Sequence, residues 1–337
     1  MRVPGYSFSS RVRSALLPAA FATALVLALG GAPANAQNFP NRPVRLVVAN
    51  GAGSITDLAA RLVAPGMSKA LGQAVVVEPM PGASGLIASE YVAKQPADGY
   101  TLLYGSNNLV LLPVFVKDLR LDPVRDLPPV SIVTELISLI SSSAQAPWKD
   151  FNEMIAYLKA NPGKVNYAST GLNGATSMNL EVLTSKAGLT VTNIPSKGGS
   201  PDVLRALSTN EAQFSTGLVE SHGVAEKGAT NRFRVLAAVS SRRLPSLPDV
   251  PSTTELGYPE MIVNYFSSHS PAGVPKPVVD ALYASVASAL QQPEVKSGHE
   301  KFYLHIVGST PEASAKRYAG EVAYYAGVAK SAGIKPE

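Results

Sequence analysis

The chain has no cysteine, one tryptophan and four histidines among 337 residues. Without cysteine there are no disulfides, thiol nucleophiles or thiolate metal sites, and no lipid-modified cysteine after an export signal. The histidines, His222, His269, His299 and His305, show no metal-site spacing. "His299-Glu300" lacks the second histidine of H-E-x-x-H, since Tyr303 stands in its place. No G-x-S-x-G occurs; Gly82-Ala83-Ser84-Gly85 is spaced differently. No carboxylate pair stands out in the loops. These absences argue against a hydrolase or a metalloenzyme, and no cofactor or metal is expected. Charge is sparse at 16% of residues. No cluster of Lys and Arg is interleaved with aromatics, so no nucleic-acid partner is expected.

The N-terminus reads as an export signal. Arg2, Arg11 and Arg13 precede the apolar run "ALLPAAFATALVLALGG", and Ala34-Asn35-Ala36 places small residues before a cleavage point. The expectation is a signal peptide over 1–36 and a mature, soluble, periplasmic chain starting at Gln37. The signal carries three basic residues and no acidic ones, so the formal charge of +5 falls to +2 after cleavage.

Downstream, β-branched strands alternate with small polar loops and amphipathic helices. "VRLVVA" leads through "NGAGSITD" into a helix, "QAVVVEP" through "MPGASG" into another, and "YTLLYG" into "SNNLVLLPVF". A long crossing strand is expected over 127–143. A second unit repeats the pattern through "KVNYAST" and "LTVTNIPSKGGSP", and a Pro-rich segment then returns to the first unit. The reading is α/β with two lobes, each a mostly parallel sheet flanked by helices. Lobe 1 is expected over 37–140 and 250–337, and lobe 2 over 141–249. Two crossings imply a cleft between them.

The loops after the strands are small and rich in hydroxyls and amides. In open α/β sheets such loops gather at the carboxyl ends of strands, and helix N-termini there suit an anion. In the first loop, Asn50, Gly51, Ala52, Gly53, Ser54, Thr56 and Asp57 are candidates. Ser54 with Asp57 also fits a helix cap, and a side chain at position 51 or 53 is expected to block close approach or demand an unfavourable φ. Ser106 and Asn107 follow the third strand. Ser169, Thr170, Gly171, Ala175 and Ser177 follow "VNYA", and Ser196 and Lys197 occupy the "IPSKGG" loop. Lys197 could pair with a carboxylate or be solvated. Tyr265 and Phe266 could stack on a ligand. Trp148 and Phe151 are read as core packing.

The runs "NFPNRPVRLVVANGAGSITDLAARLV", "PADGYTLLYGS", "NPGKVNYAST", "IPSKGGSP" and "RRLPSLPDVPSTTELGYP" resemble the Bug/TctC family, the extracytoplasmic solute-binding proteins of tripartite tricarboxylate transporters. The resemblance spans nearly the whole mature chain. It implies a Venus-flytrap, periplasmic-binding-protein fold that closes on a small carboxylate without catalysis. It also implies membrane transporter subunits as partners, or alternatively a sensor kinase, and a monomer is expected. The chain departs from the family pattern in places. Asn50, Gly53 and Ser54 replace a Phe-containing loop with paired glycines, while Thr56 and Asp57 remain. Ser177 stands for a histidine, Ser196 for a tyrosine, and Tyr265 for a tryptophan.

Overall fold

The computed structural model describes Met1 and residues 39–169, 175–195, 200–218, 233–244, 247–259, 261–331, 333, 334 and 336. The expected signal sequence lies outside them apart from Met1. From Pro40 onward the chain forms a two-lobed α/β fold.

One sheet holds β1 (Val44–Val48), β2 (Val75–Pro79), β3 (Thr101–Ser106), β4 (Pro129–Leu136), β10 (Tyr265–His269) and β11 (Leu304–Ile306). Their order is β11-β4-β10-β3-β1-β2. The other holds β5 (Ser138–Ser143), β6 (Asn166–Ser169), β7 (Thr192–Pro195), β8 (Phe214–Leu218) and β9 (Phe233–Val239), in the order β7-β6-β8-β5-β9. The helices are α1 (Ile55–Leu71), α2 (Leu86–Ala93), α3 (Asn108–Phe115), α4 (Pro123–Asp126), α5 (Phe151–Ala160), α6 (Ala175–Ala187), α7 (Ser200–Ser208), α8 (Lys276–Leu290), α9 (Pro293–Lys301) and α10 (Pro311–Ser331).

The run over 127–143 is two strands. The chain leaves β4, passes Ile137 and enters β5 in the other sheet. Residues 138–140 therefore belong to the second sheet, not to the first lobe as expected. The segment after 250 also packs there: Thr253 N–H donates to the Ala238 carbonyl at 2.8 Å, and the Tyr258 ring meets Phe151 at 5.3 Å.

The sheets are mixed rather than mostly parallel. β1 runs parallel to β2 and β3, and β6 runs parallel to β7 and β8, as helical crossovers demand. β10 comes back from the second sheet while β4 leaves for it, so β10 is antiparallel to β4 and to β3. β5 is likewise antiparallel to β8 and β9. These directions fix where the loops lie. β1, β2 and β3 point the same way as β4, toward the crossing. β6, β7 and β8 oppose β5, which starts at the crossing, so they also end there. The carboxyl ends of both parallel sets face one another across the crossing strands.

Each lobe has its own core. Val47, Leu103, Leu109–Leu112 and Tyr318 belong to the first, and Trp148, Phe151, Met154, Tyr167 and Phe214 to the second. Trp148 and Phe151 are fully buried, as read from the sequence. The α1–α8 crossing depends on Gly66. A Cβ there would lie 2.7 Å from the Ala289 Cβ and 2.8 Å from its Cα. Because backbone must move, Gly66→Ala should lose about 1–3 kcal/mol in urea unfolding. Gly298→Ala should lose less, because its Cβ meets only the flexible Leu62 side chain. Equal losses would contradict this account.

Candidate ligand-binding site

At the end of β1 the chain turns through Asn50–Ser54 into α1. Ser54 is the N-cap, with extended φ −66° and ψ 158°, and its Oγ accepts the Asp57 N–H at 3.2 Å. Asp57 Oδ2 accepts from Gly53 N–H at 2.9 Å and from Arg61 Nε at 2.9 Å. The Arg61 bond, opposed by burial and aided by Gly53, holds the Asp57 carboxyl below its ordinary range. The carboxylate beside the helix start is thus already neutralised from within. The amides of Ile55 and Thr56 have no hydrogen-bond partner among the described residues. They are the orphan donors of a helix N-terminus, and the dipole there favours an anion. Thr56 is 3% exposed. Asn50, Gly51 and Ser54 are half-buried, whereas Ala52 and Gly53 are exposed.

The expected φ constraint holds at only one of the two glycines. Gly53 has φ +79°, where an L side chain is strained. Gly51 is not in that region, and a Cβ there would meet nothing within 4 Å.

β3 ends at Ser106, and Asn107 precedes α3. Asn107 is buried: its N–H donates to the Tyr265 carbonyl at 3.1 Å, Nδ2 donates to the Val263 carbonyl at 3.4 Å, and Oδ1 has no partner among the described residues. Tyr265, expected to face a ligand, is fully buried. Its hydroxyl donates to Glu321 Oε2 at 2.8 Å, and the Arg317 guanidinium sits 4.7 Å from its ring centroid. Arg317 also bonds Glu135 Oε1 at 2.6 Å and Glu321 Oε1 at 2.8 Å. The side chain is therefore drawn to α10, on the side of a cavity of about 620 Å³ lined by Glu135, Met261, Val263, Arg317, Glu321 and Tyr325. Phe266 is buried too, 6.1 Å from Tyr104.

On the second sheet, Ser169 is fully buried at the end of β6, and α6 opens with Ala175 and the buried Ser177. Thr170, Gly171, Ser196 and Lys197 lie outside the described residues. Ala175 and Met178 pack against the apolar core that contains Leu109 and Leu111, so the start of α6 rests on the first lobe. Asn179 fastens it to the returning chain, accepting the Ile262 N–H at 2.5 Å and donating to the Ile262 carbonyl at 3.3 Å. Ser54 and Asn107 thus follow neighbouring strands at one edge of the first sheet, Ala175 packs against the core that contains Leu109, and the Tyr265 side chain is drawn to α10.

Three residues absent from the sequence reading shape this region. Arg61 had a signal, since Asp57 and Arg61 are four apart on one helix face. Glu321 had the same signal toward Arg317, four residues before it on α10, but none toward Tyr265, and Asn179 had none, because Tyr265 and Ile262 lie far off in sequence.

The described residues contain no cluster of three or more His, Asp or Glu side chains able to hold a metal. None of their helices is long and apolar enough to cross a membrane. The family model described as the tripartite tricarboxylate transporter family receptor matches residues 59–327. The chain belongs to this receptor family. A UPF0065 protein of Bordetella bronchiseptica is 37% identical over 278 residues, which is 81% of this chain and 80% of that one. The periplasmic binding protein BugD superposes with a TM-score of 0.68 at 28% identity, covering 89% of this chain and 100% of BugD. An R. palustris protein solved with adipate gives 0.71 at 29% identity, covering 89% and 100%. This receptor is accordingly a solute-binding protein of the periplasmic type, a class defined by capture rather than by turnover.

Proposed function

We propose that this receptor captures a small carboxylate between the facing strand ends and delivers it to the membrane subunits of a tripartite tricarboxylate-type transporter. The reading rests above all on one observation: the amides of Ile55 and Thr56, unpartnered among the described residues, lie at the end of β1 that faces the second lobe. The Ile55 and Thr56 amides and the Thr56 hydroxyl would hold the carboxylate. Asn107 would contribute its free Oδ1, which can accept from a ligand hydroxyl or a bridging water. From the second lobe, Ser169, Ala175 and Ser177 would add contacts, with Thr170, Gly171, Ser196 and Lys197 the further candidates of the sequence. Adipate in the R. palustris neighbour supports the carboxylate class. In this reading residues 1–36 are removed on export, leaving Gln37 first, and the lobes close about the crossings near Ile137 and Val263.

Mass spectrometry of ligand released from natively purified protein identifies the solute. Two substitutions then separate capture from capping. Thr56→Val should weaken calorimetric binding of that solute by about 1.5–3 kcal/mol, roughly ten- to a hundredfold, with little change in urea stability. Ser54→Ala should instead lower stability by about 1 kcal/mol. Unchanged affinity in Thr56→Val would move the site elsewhere.

A further inference from the structure

A cavity of about 210 Å³ lies along α3. Its walls are Leu111, Leu112, Phe115 and Val116, the apolar face and end of α3. Asn108, Ala83 and Ser84 also line it. Ala83 and Ser84 follow β2, and Asn108 follows β3, so this part of the lining lies at the same carboxyl edge of the first sheet as the amides of Ile55 and Thr56, with β1 between β2 and β3. The turn after β2 is a built feature. Gly82, Ala83, Ser84 and Gly85 all have positive φ, and two of them are not glycine. Such backbone persists only where its surroundings hold it, and it clusters at ligand sites.

None of the described residues lining the cavity is charged. A second carboxylate entering it would be desolvated with no described cation to pair with and only the Asn108 amide and Ser84 hydroxyl as side-chain donors, which is unfavourable. A hydrocarbon group would instead meet apolar side chains, chiefly the half-buried Phe115 and Val116, with the nearly fully buried Leu111 and Leu112 behind them. An apolar cavity of about 150 Å³ accepts benzene, so this one has room for a phenyl ring or a chain of about six carbons. Resting on the carboxylate reading above, we infer that the preferred solute is a monocarboxylate whose far end is an uncharged hydrocarbon group seated against Leu111, Leu112, Phe115 and Val116.

The test is calorimetric titration of the ligand-stripped protein with straight-chain acids from acetate to octanoate, with benzoate, and with malate. Each added methylene should tighten binding about three- to fourfold until the cavity is full. Hexanoate and benzoate should bind at least about tenfold more tightly than malate. Val116→Trp, which fills the cavity, should flatten the chain-length series while leaving acetate unchanged. Leu112→Ala, which enlarges it, should move the optimum to a longer acid, and thermal unfolding checks that both variants fold. Thr56→Val should weaken every acid by the same factor. A flat series in the unsubstituted protein, or malate binding as tightly as hexanoate, overturns the hydrocarbon pocket and leaves carboxylate capture standing. Failure of every acid to bind overturns both.

Discussion

Arg317→Met should destabilise the protein by about 2–4 kcal/mol at neutral pH, and by clearly less at pH 5. Arg317 ties Glu135, at the end of β4, to Glu321 on α10, and Glu321 holds the Tyr265 hydroxyl at the start of β10. The three charged side chains are 30%, 25% and 17% exposed. Removing one partner from such a cluster leaves uncompensated buried charge, and that accounts for the size of the effect. Burial raises the Glu321 carboxyl, and the Arg317 charge and bond only partly draw it back. Without Arg317 it moves further up and takes a proton more readily as pH falls, which removes the unpaired charge. The penalty therefore shrinks toward acid. Urea unfolding of both proteins at pH 7 and pH 5 measures it, and adding Glu321→Gln should restore part of the loss. A penalty that does not change with pH would show that the cluster acts through packing alone.

Between pH 6.5 and about 4 the folded protein should lose about 3 kcal/mol of stability through His269. This imidazole is fully buried on β10, with Nε2 2.7 Å from Ser267 Oγ and Nδ1 2.9 Å from the Leu127 carbonyl. That pairing fits the neutral tautomer, with Nδ1–H donating and Nε2 accepting. Burial pushes its pKa down to about 4, with the Leu127 bond opposing. The unfolded chain protonates near 6.5, so below that pH it binds a proton the native state refuses. Stability falls until the native imidazole also protonates near 4, and each pKa unit is worth about 1.4 kcal/mol. His299 is shifted in the same direction by burial and adds to the loss. Asp57, Glu78 and Asp126 have lowered values, so their stabilisation disappears below the ordinary carboxylate range, mostly at lower pH. His269→Gln should be less stable at pH 7 but flatter between pH 6.5 and 4.5. A slope as steep as that of the unsubstituted protein would remove His269 as its source.

The sequence carried local information well and direction poorly. Periodicity marked β1, β2, β3, α1 and α5, and Ser54 with Asp57 announced the cap that the structure shows. It did not separate β4 from β5, because the apolar run continues through Ile137 while the chain changes sheet. β8 escaped notice: Phe214–Leu218 includes Ser, Thr and Gly and becomes a strand through pairing with β5 and β6. α9 is polar, and its buried Val295 and His299 give little pattern. Strand direction depends on which lobe the chain is entering, and no residue type encodes that. Tyr265 shows the same limit at the site, since its orientation depends on Glu321, 56 residues away.

The sole tryptophan also determines what light can report. Trp148 is 1% exposed in the second-lobe core, with the Tyr157 ring 5.5 Å away. Its emission therefore follows the melting of that lobe alone, while far-ultraviolet circular dichroism sums over both. Coincident curves from the two probes would mean that the lobes unfold as one unit, and a separation would mean that a single midpoint does not describe the protein. A hinge motion that leaves the second lobe internally rigid would be dark in tryptophan emission, so solute titrations call for calorimetry or a dye placed on the first lobe.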